Sequence, residues 1–201
     1  MQLHADRLLH SPSDLSAYLA CEHLTRLELE VARGERTRPE LENPQADLIK
    51  RKGDEHEAAY LAQLRAHGRN VTTIERGDGA WELERAAADT LAVMRAGADV
   101  VFQAVLLSHD GRWRGLADFL ERVDTPSALG PWSYEVADTK LARHSKPTYI
   151  LQLCFYTEQV ARLQELEPAA MHVLLGSGER ESFRPADFGA YYRRVRARFI
   201  H

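Results

Sequence analysis

The sequence predicts a mixed α/β domain, in which helices flank a central mixed β-sheet and a helical region precedes it. Two observations lead to this fold class. Helical patterns with glycine stops dominate the first 97 residues, whereas strand-like apolar runs and helical patterns alternate over the rest of the chain. A strong turn signal, Asp110-Gly111, lies between two of those runs and predicts a β-hairpin.

Helical patterns fill most of the first half of the chain. Glycines end these patterns at Gly34, Gly68 and Gly97, as expected for residues that follow a helix. The predicted elements are a helix over residues 11–34, a helix over 46–67, a short strand over 70–75 and a helix over 79–97. We expect residues 1–45 to form an N-terminal helical segment packed on a core of residues 46–201.

Strands and helices alternate in the second half of the chain. Apolar runs over residues 99–107 and 112–123 form the two arms of the predicted hairpin. The remaining predicted elements are a strand over 133–142, a helix after Pro147, a strand over 169–176 and a helix over 184–201. This order predicts a mixed sheet with helices on both sides.

The composition is that of an ordinary globular protein, with 201 residues and a net charge of −4. This charge gives no overall attraction to nucleic acid, so any contact with phosphates needs a local basic patch. The longest apolar runs are far shorter than a membrane span of about 20 residues. The start of the chain has no signal-peptide pattern and there are only two cysteines. We therefore expect a cytoplasmic protein without a disulfide framework.

The strand over residues 133–142 places Asp138 and Lys140 on one face, roughly 7 Å apart, and Glu135 on the other. Asp118 lies within the apolar run of the preceding strand, where a carboxylate needs a partner such as a metal ion. Carboxylates on adjacent strands with a nearby lysine suit phosphodiester cleavage. The alternative is an ordinary surface ion pair, which a single D-x-K often is.

Three further short motifs accompany the D-x-K motif of this strand. In chain order the four are glycine-x-x-histidine (Gly53, His56), G-x-x-D (Gly115, Asp118), D-x-K (Asp138, Lys140) and Q-x-x-x-Y (Gln152, Tyr156). The ordered set resembles the RecB-like branch of the PD-(D/E)XK nucleases, which have a restriction-endonuclease-like fold. This resemblance implies that fold for the core of the chain.

The resemblance also implies roles for individual residues. His56 would bind a magnesium or manganese ion through a ring nitrogen, and Asp118 and Asp138 would bind it through carboxylate oxygens. The main-chain carbonyl of Thr139 is a further candidate ligand. Lys140 would position or deprotonate the attacking water. Gln152 and Tyr156, four residues apart on one helix face, would line the site.

A closer likeness, over nearly the whole chain, is to bacterial RecB-like nucleases that often precede a helicase domain. Segments such as "SPSDL", "WSYEV", "DTKLA" and "ILQLC" carry it. In those proteins an early cysteine and three cysteines near the C-terminus hold an iron–sulfur cluster. Cys21 matches the first position, but no trio follows, so the resemblance implies no such cluster in these 201 residues. The simplest explanation is a short form or a fragment ending before the trio.

The motifs and the resemblance together predict a metal-dependent DNA nuclease, exonuclease-like and only weakly dependent on base sequence, and the resemblance implies a setting in DNA repair or defence. Arg143 and Lys146, just after the D-x-K strand, are the best candidates for contact with the phosphate backbone of single-stranded DNA or DNA ends. A helicase partner is implied only by the family. Two alternatives remain: a non-catalytic nucleic-acid-binding or interaction module, and a globular remnant with neither activity.

Overall fold

A computed structural model describes residues 1–4, 7–39, 42–77 and 80–200 of the chain. Its main body is a six-stranded mixed sheet flanked by helices, which confirms the predicted α/β class. The strands are β1 (Gln2–His4), β2 (Arg7–Leu9), β3 (Val71–Thr73), β4 (Val100–Leu107), β5 (Arg114–Val123), β6 (Ser133–Lys140), β7 (Met171–Leu175) and β8 (Arg180–Phe183). The helices are α1 (Pro12–Ala20), α2 (Glu22–Ala32), α3 (Pro44–Ala66), α4 (Ala80–Arg95), α5 (Pro147–Gln164) and α6 (Pro185–Ile200).

The six-stranded sheet has the strands in chain order, from β3 at one edge to β8 at the other. The pairs β3–β4 and β6–β7 are parallel, and each is connected through a helix, α4 in the first case and α5 in the second. The other neighbours pair antiparallel, as short connections require. The strands β1 and β2 form a separate two-stranded ribbon.

Two apolar clusters cover the sheet. One cluster joins the sheet to α1, α4, α5 and α6 and contains the largest buried side chains, among them Trp113, Tyr134 and Phe155. The other joins the C-terminal half of α3 to the sheet through Leu64, Phe119, Ala137 and Leu174, with Tyr60 beside them. The helices therefore lie on both sides of the sheet, as predicted.

The long N-terminal helix expected over residues 11–34 is two helices. Cys21 has extended backbone angles (φ −165°, ψ 112°), which ends α1 and begins α2. Its N–H still bonds to the carbonyl of Ala17, and its own carbonyl accepts from Leu24. The apolar spacing continues across this residue, so the pattern gave no sign of the break. The first helix, α1, packs against α5 and α6.

Three strands were not predicted. The strands β1 and β2 have three residues each, and the edge strand β8 reads "RESF", which is largely polar. Strands this short do not complete a recognisable alternation. Gly79 and His201, at the ends of two predicted helices, lie outside the described residues. Within the described ranges, no helix is long and apolar enough to span a membrane.

Candidate active site

The strands β5 and β6 stop pairing next to Asp118 and Asp138, the two aspartates predicted to bind a metal ion. Residue pairing between these strands runs from Val123–Ser133 to Phe119–Ala137 and ends there. At the next position the Asp118 carboxylate accepts hydrogen bonds from the main-chain N–H (2.8 Å) and the hydroxyl (2.7 Å) of Thr139. The Asp118 side chain thus takes the place of a strand partner and is held in a fixed position beside β6.

Asp138 is almost completely buried at this point of the sheet, with 1% of its surface exposed. It forms an ion pair with Lys140, as the shared strand face predicts. Lys140 contacts its Oδ2, whereas its Oδ1 has no hydrogen-bond donor among the described residues. Burial, and then the charge of Asp118, raise the pKa of Asp138 to about 7. The site therefore contains a buried carboxylate whose Oδ1 has unused acceptor capacity.

Lys140 remains a cation at this site. Burial opposes its charge, but the Asp138 carboxylate outweighs burial, and the pKa of Lys140 is raised. Its Nζ also lies 5.5 Å from the centre of the Tyr149 ring at the start of α5. A protonated lysine can donate hydrogen bonds and stabilise negative charge. It cannot accept a proton until it has lost one of its own.

Gln152 and Tyr156 are in direct contact on α5, where the amide nitrogen donates to the phenol oxygen at 2.7 Å. Tyr156 is buried, and burial followed by the charge of Asp138 raises its pKa well above the ordinary value. The Tyr156 ring lies over Gly115, the first residue of the G-x-x-D motif. The structure therefore brings the D-x-K, G-x-x-D and Q-x-x-x-Y residues together.

Gly115 has to lack a side chain. A Cβ at this position would lie 2.6 Å from the Tyr156 ring and 2.7 Å from the Phe155 ring. We expect Gly115→Ala to lower the free energy of unfolding by about 1–3 kcal/mol, the usual cost of overpacking. The matched control is Gly53→Ala in α3, where nothing lies within 4 Å of the new Cβ. That change should leave stability unchanged or increase it by up to about 1 kcal/mol. Urea unfolding of both variants checks this, and equal stabilities would contradict it.

His56 lies on α3 but is not in contact with the aspartates. Its Nε2 is 3.1 Å from the main-chain carbonyl of Leu174 on β7, the residue paired with Thr139. Because a carbonyl only accepts, Nε2 carries the proton, and Nδ1 is the nitrogen available to a metal ion when the ring is neutral. The structure thus orients the ring, but does not place it with Asp118 and Asp138.

Glu57 is the site residue that the sequence interpretation missed. Burial, and then the charge of Asp118, raise its pKa, and Gln103 on β4 donates a hydrogen bond to it. Gln103 has a positive φ of 61°, and residue pairing between β4 and β5 is interrupted at Gln103 and Asp118. A sequence signal existed, because Glu57 shares a helical stripe with the apolar residues Tyr60, Leu61 and Leu64.

The donors at the point where β5 and β6 separate fit a hard divalent cation better than a soft one. Asp118 and Asp138 supply carboxylate oxygens, and the Thr139 carbonyl lies on the same side of its strand as the N–H that contacts Asp118. Magnesium commonly uses one or two carboxylates and keeps several waters. Within residues 1–4, 7–39, 42–77 and 80–200, no three His, Cys, Asp or Glu side chains are grouped to hold a metal ion. The fit therefore rests on the two aspartates and on Oδ1 of Asp138, which has no donor among the described residues.

Arg143 and Lys146 are exposed on the loop that leaves β6. The Lys146 Nζ lies 5.9 Å from the Tyr149 ring, on which Lys140 also lies. The loop is fixed beside β7, because the N–H of Gly176 donates to the carbonyl of Ala142. This arrangement presents exposed cationic side chains at the end of β6, with Lys146 and Lys140 against the same tyrosine ring.

We expect the double change Arg143→Ala/Lys146→Ala to weaken binding of single-stranded DNA. Two lost phosphate contacts should reduce the slope of log affinity against log salt by about 1.4 for single strands. A charge-matched control is Arg85→Ala/Arg95→Ala, two exposed arginines on α4. Fluorescence anisotropy at several salt concentrations makes the comparison. Equal slopes for the two double variants would contradict a backbone contact at this loop.

A second polar network lies near the far edge of the sheet. His172 on β7 is buried, with Nε2 2.9 Å from Glu135 on β6 and Nδ1 2.8 Å from the Ser182 hydroxyl on β8. Glu135 also accepts from the N–H of Ala170. Glu135 therefore faces away from Asp138, as predicted, and the chain Glu135–His172–Ser182 links β6, β7 and β8.

The arrangement as a whole can bind a divalent cation at two fixed carboxylates, one of them buried, beside a lysine cation. Such a centre suits reactions in which negative charge develops on a phosphate oxygen. No protein-family model matches the chain, and a search of the curated proteins finds no match.

Proposed function

We propose that the protein is a divalent-metal-dependent DNA nuclease that hydrolyses phosphodiester bonds. One observation carries the proposal: Asp138 is buried beside Asp118 where β5 and β6 separate, with Lys140 at its Oδ2 and, among the described residues, no donor at its Oδ1. Burying a carboxylate in this way is costly, and a bound cation would offset the cost.

Each residue has a definite task in this proposal. Asp118 and Asp138 would hold magnesium or manganese together with the Thr139 carbonyl, and His56 is the candidate for a further ligand. The ion would supply Lewis-acid stabilisation of phosphate charge and lower the pKa of a bound water. Lys140, a cation, would hydrogen-bond to the attacking water or the phosphate rather than act first as a base.

Tyr156 and Gln152 would support this centre from α5. Their mutual hydrogen bond and the contact of the Tyr156 ring with Gly115 fix the phenol near the aspartates. A fixed neutral hydroxyl at this place can donate to a substrate oxygen without adding negative charge. We assign them a positioning role.

The four motifs in order support the finer part of the proposal, a RecB-like nuclease with a restriction-endonuclease-like fold. We extend it to exonuclease-like action on single strands or DNA ends, with little dependence on base sequence. The setting would be DNA repair or defence, with a helicase domain or subunit as partner.

The second candidate is a nucleic-acid-binding module without catalytic activity of its own. The exposed cations Arg143 and Lys146 on the loop after β6 favour it. This candidate predicts that DNA binds to the loop bearing Arg143 and Lys146 without turnover.

Incubation of the protein with end-labelled single- and double-stranded DNA distinguishes the two. Parallel reactions contain magnesium, manganese or a chelator, and binding is measured on the same oligonucleotides. Cleavage that requires the metal supports the nuclease. Binding without cleavage in any metal supports the module.

A further inference from the structure

We propose that a cavity between α4 and the β4–β5 hairpin binds the terminal nucleotide of the DNA strand, with its phosphate on Arg76 and Arg114. The inference rests on the proposed nuclease function, because it names the part of the substrate that this protein holds beside the aspartates. The cavity has a volume of about 310 Å³. Its lining includes Arg76, Arg114, Glu82, Leu83, Val105 and Leu116.

The lining has a polar rim and an apolar floor. Leu83 and Ala86 come from α4, and Val105 and Leu116 are a cross-strand pair of the hairpin. Arg76 lies in the segment between β3 and α4, and Arg114 is the first residue of β5. A volume near 300 Å³ with an apolar floor and a few charged groups is typical of a site for one small organic ligand.

The charges favour an anion. Two guanidinium groups line the cavity against one carboxylate, that of Glu82. Among the described residues, neither Arg76 nor Arg114 takes part in an ion pair. Arginine presents a planar fork of N–H donors that matches phosphate oxygens.

The cavity is next to the candidate active site. Leu116 precedes Asp118 by two residues on β5, a distance of about 7 Å along a strand. Arg76 is also close enough to Glu57 to act on its charge, and Glu57 is in turn close to Asp118. A strand with one nucleotide in the cavity would therefore place a neighbouring phosphodiester bond near the aspartates.

Titration of the metal-free protein with deoxyadenosine 5′-monophosphate tests the cavity without any need for cleavage. A chelator is present, so that phosphate cannot bind through a metal ion. Deoxyadenosine and inorganic phosphate are the comparison ligands, and binding is followed by calorimetry or by amide chemical shifts. The variants are Arg76→Gln and Arg114→Gln, with Arg85→Gln, exposed on α4 outside the lining, as the matched control.

We expect the nucleotide to bind at least about 10-fold more tightly than either comparison ligand, and each cavity variant to lose about 10-fold in affinity. The control variant should bind like the wild type. The inference is overturned if the nucleotide binds no better than deoxyadenosine or phosphate, or if the cavity variants match the control. Failure of the wild type to cleave DNA, with nucleotide binding intact, would instead overturn the nuclease and leave the cavity assigned.

Discussion

Cleavage of end-labelled DNA is expected to fall at least about 10²-fold when Asp138 is replaced by Asn or Lys140 by Ala. Asn keeps the size of Asp138 but removes the charge that would hold the cation. Replacing Lys140 by Ala removes the ammonium group that would stabilise charge developing on the phosphate. Losing electrostatic stabilisation of this kind lowers the rate on the order of 10²–10³-fold or more. Single-turnover cleavage rates in manganese provide the measurement.

The matched control for these variants is Glu135→Gln. Glu135 lies on the same strand but faces His172 and Ala170, away from Asp138. Its replacement should change the cleavage rate by less than about threefold. Thermal melts identify any variant that has lost its fold. A folded Asp138→Asn protein that still cleaves at the wild-type rate would contradict the proposed site.

The second large effect is a stabilisation by magnesium or manganese that depends on pH. The pKa of Asp138, about 7 in the folded chain, is raised from its ordinary value of 3.8. Between these values the folded state binds a proton that the unfolded state has released. The Asp138 contribution to the free energy of unfolding therefore decreases as pH rises from about 4 to 7. A metal ion, which needs the ionised carboxylate, should reverse this decrease mainly above pH 7.

At pH 8 and a free metal concentration about 100 times the dissociation constant, binding should raise the free energy of unfolding by about 2.7 kcal/mol. For a chain of this size that is a rise in Tm of roughly 5–10 °C. At pH 5.5 the rise should be less than half as large, because protons compete with the metal. Melts of the wild type and of Asp138→Asn, with metal and with chelator, provide the measurement. An equal rise at both pH values, or in both proteins, would contradict the assignment.

The long elements of the fold could be predicted because each has a clear local signal. The glycines at 34, 68, 97 and 111 adopt positive φ angles where a helix or turn ends, which other residues rarely tolerate. The pairing order of the strands and the two faces of the sheet depend on contacts between distant residues. Cys21 could not be predicted as a helix break, because the apolar spacing continues across it although its backbone is extended.

The candidate site was predictable where neighbours in sequence are neighbours in space. The contacts of Asp138 with Lys140 and of Gln152 with Tyr156 follow directly from strand and helix periodicity. The hydrogen bond from Thr139 to Asp118 depends on the point where two strands separate, which no local pattern marks. The interruption of the β4–β5 pairing at Gln103 is likewise a tertiary feature. At that position the Gln103 side chain donates a hydrogen bond to Glu57.

The most direct test of the central claim follows metal binding and DNA cleavage in one preparation. The wild-type protein and Asp138→Asn are titrated with manganese at pH 8, and ion binding and cleavage of single-stranded DNA are recorded at each step. The account predicts that wild-type cleavage rises in parallel with metal occupancy, and that Asp138→Asn loses both. Saturation of the wild type with manganese without cleavage, or equal cleavage by the two proteins, would contradict it.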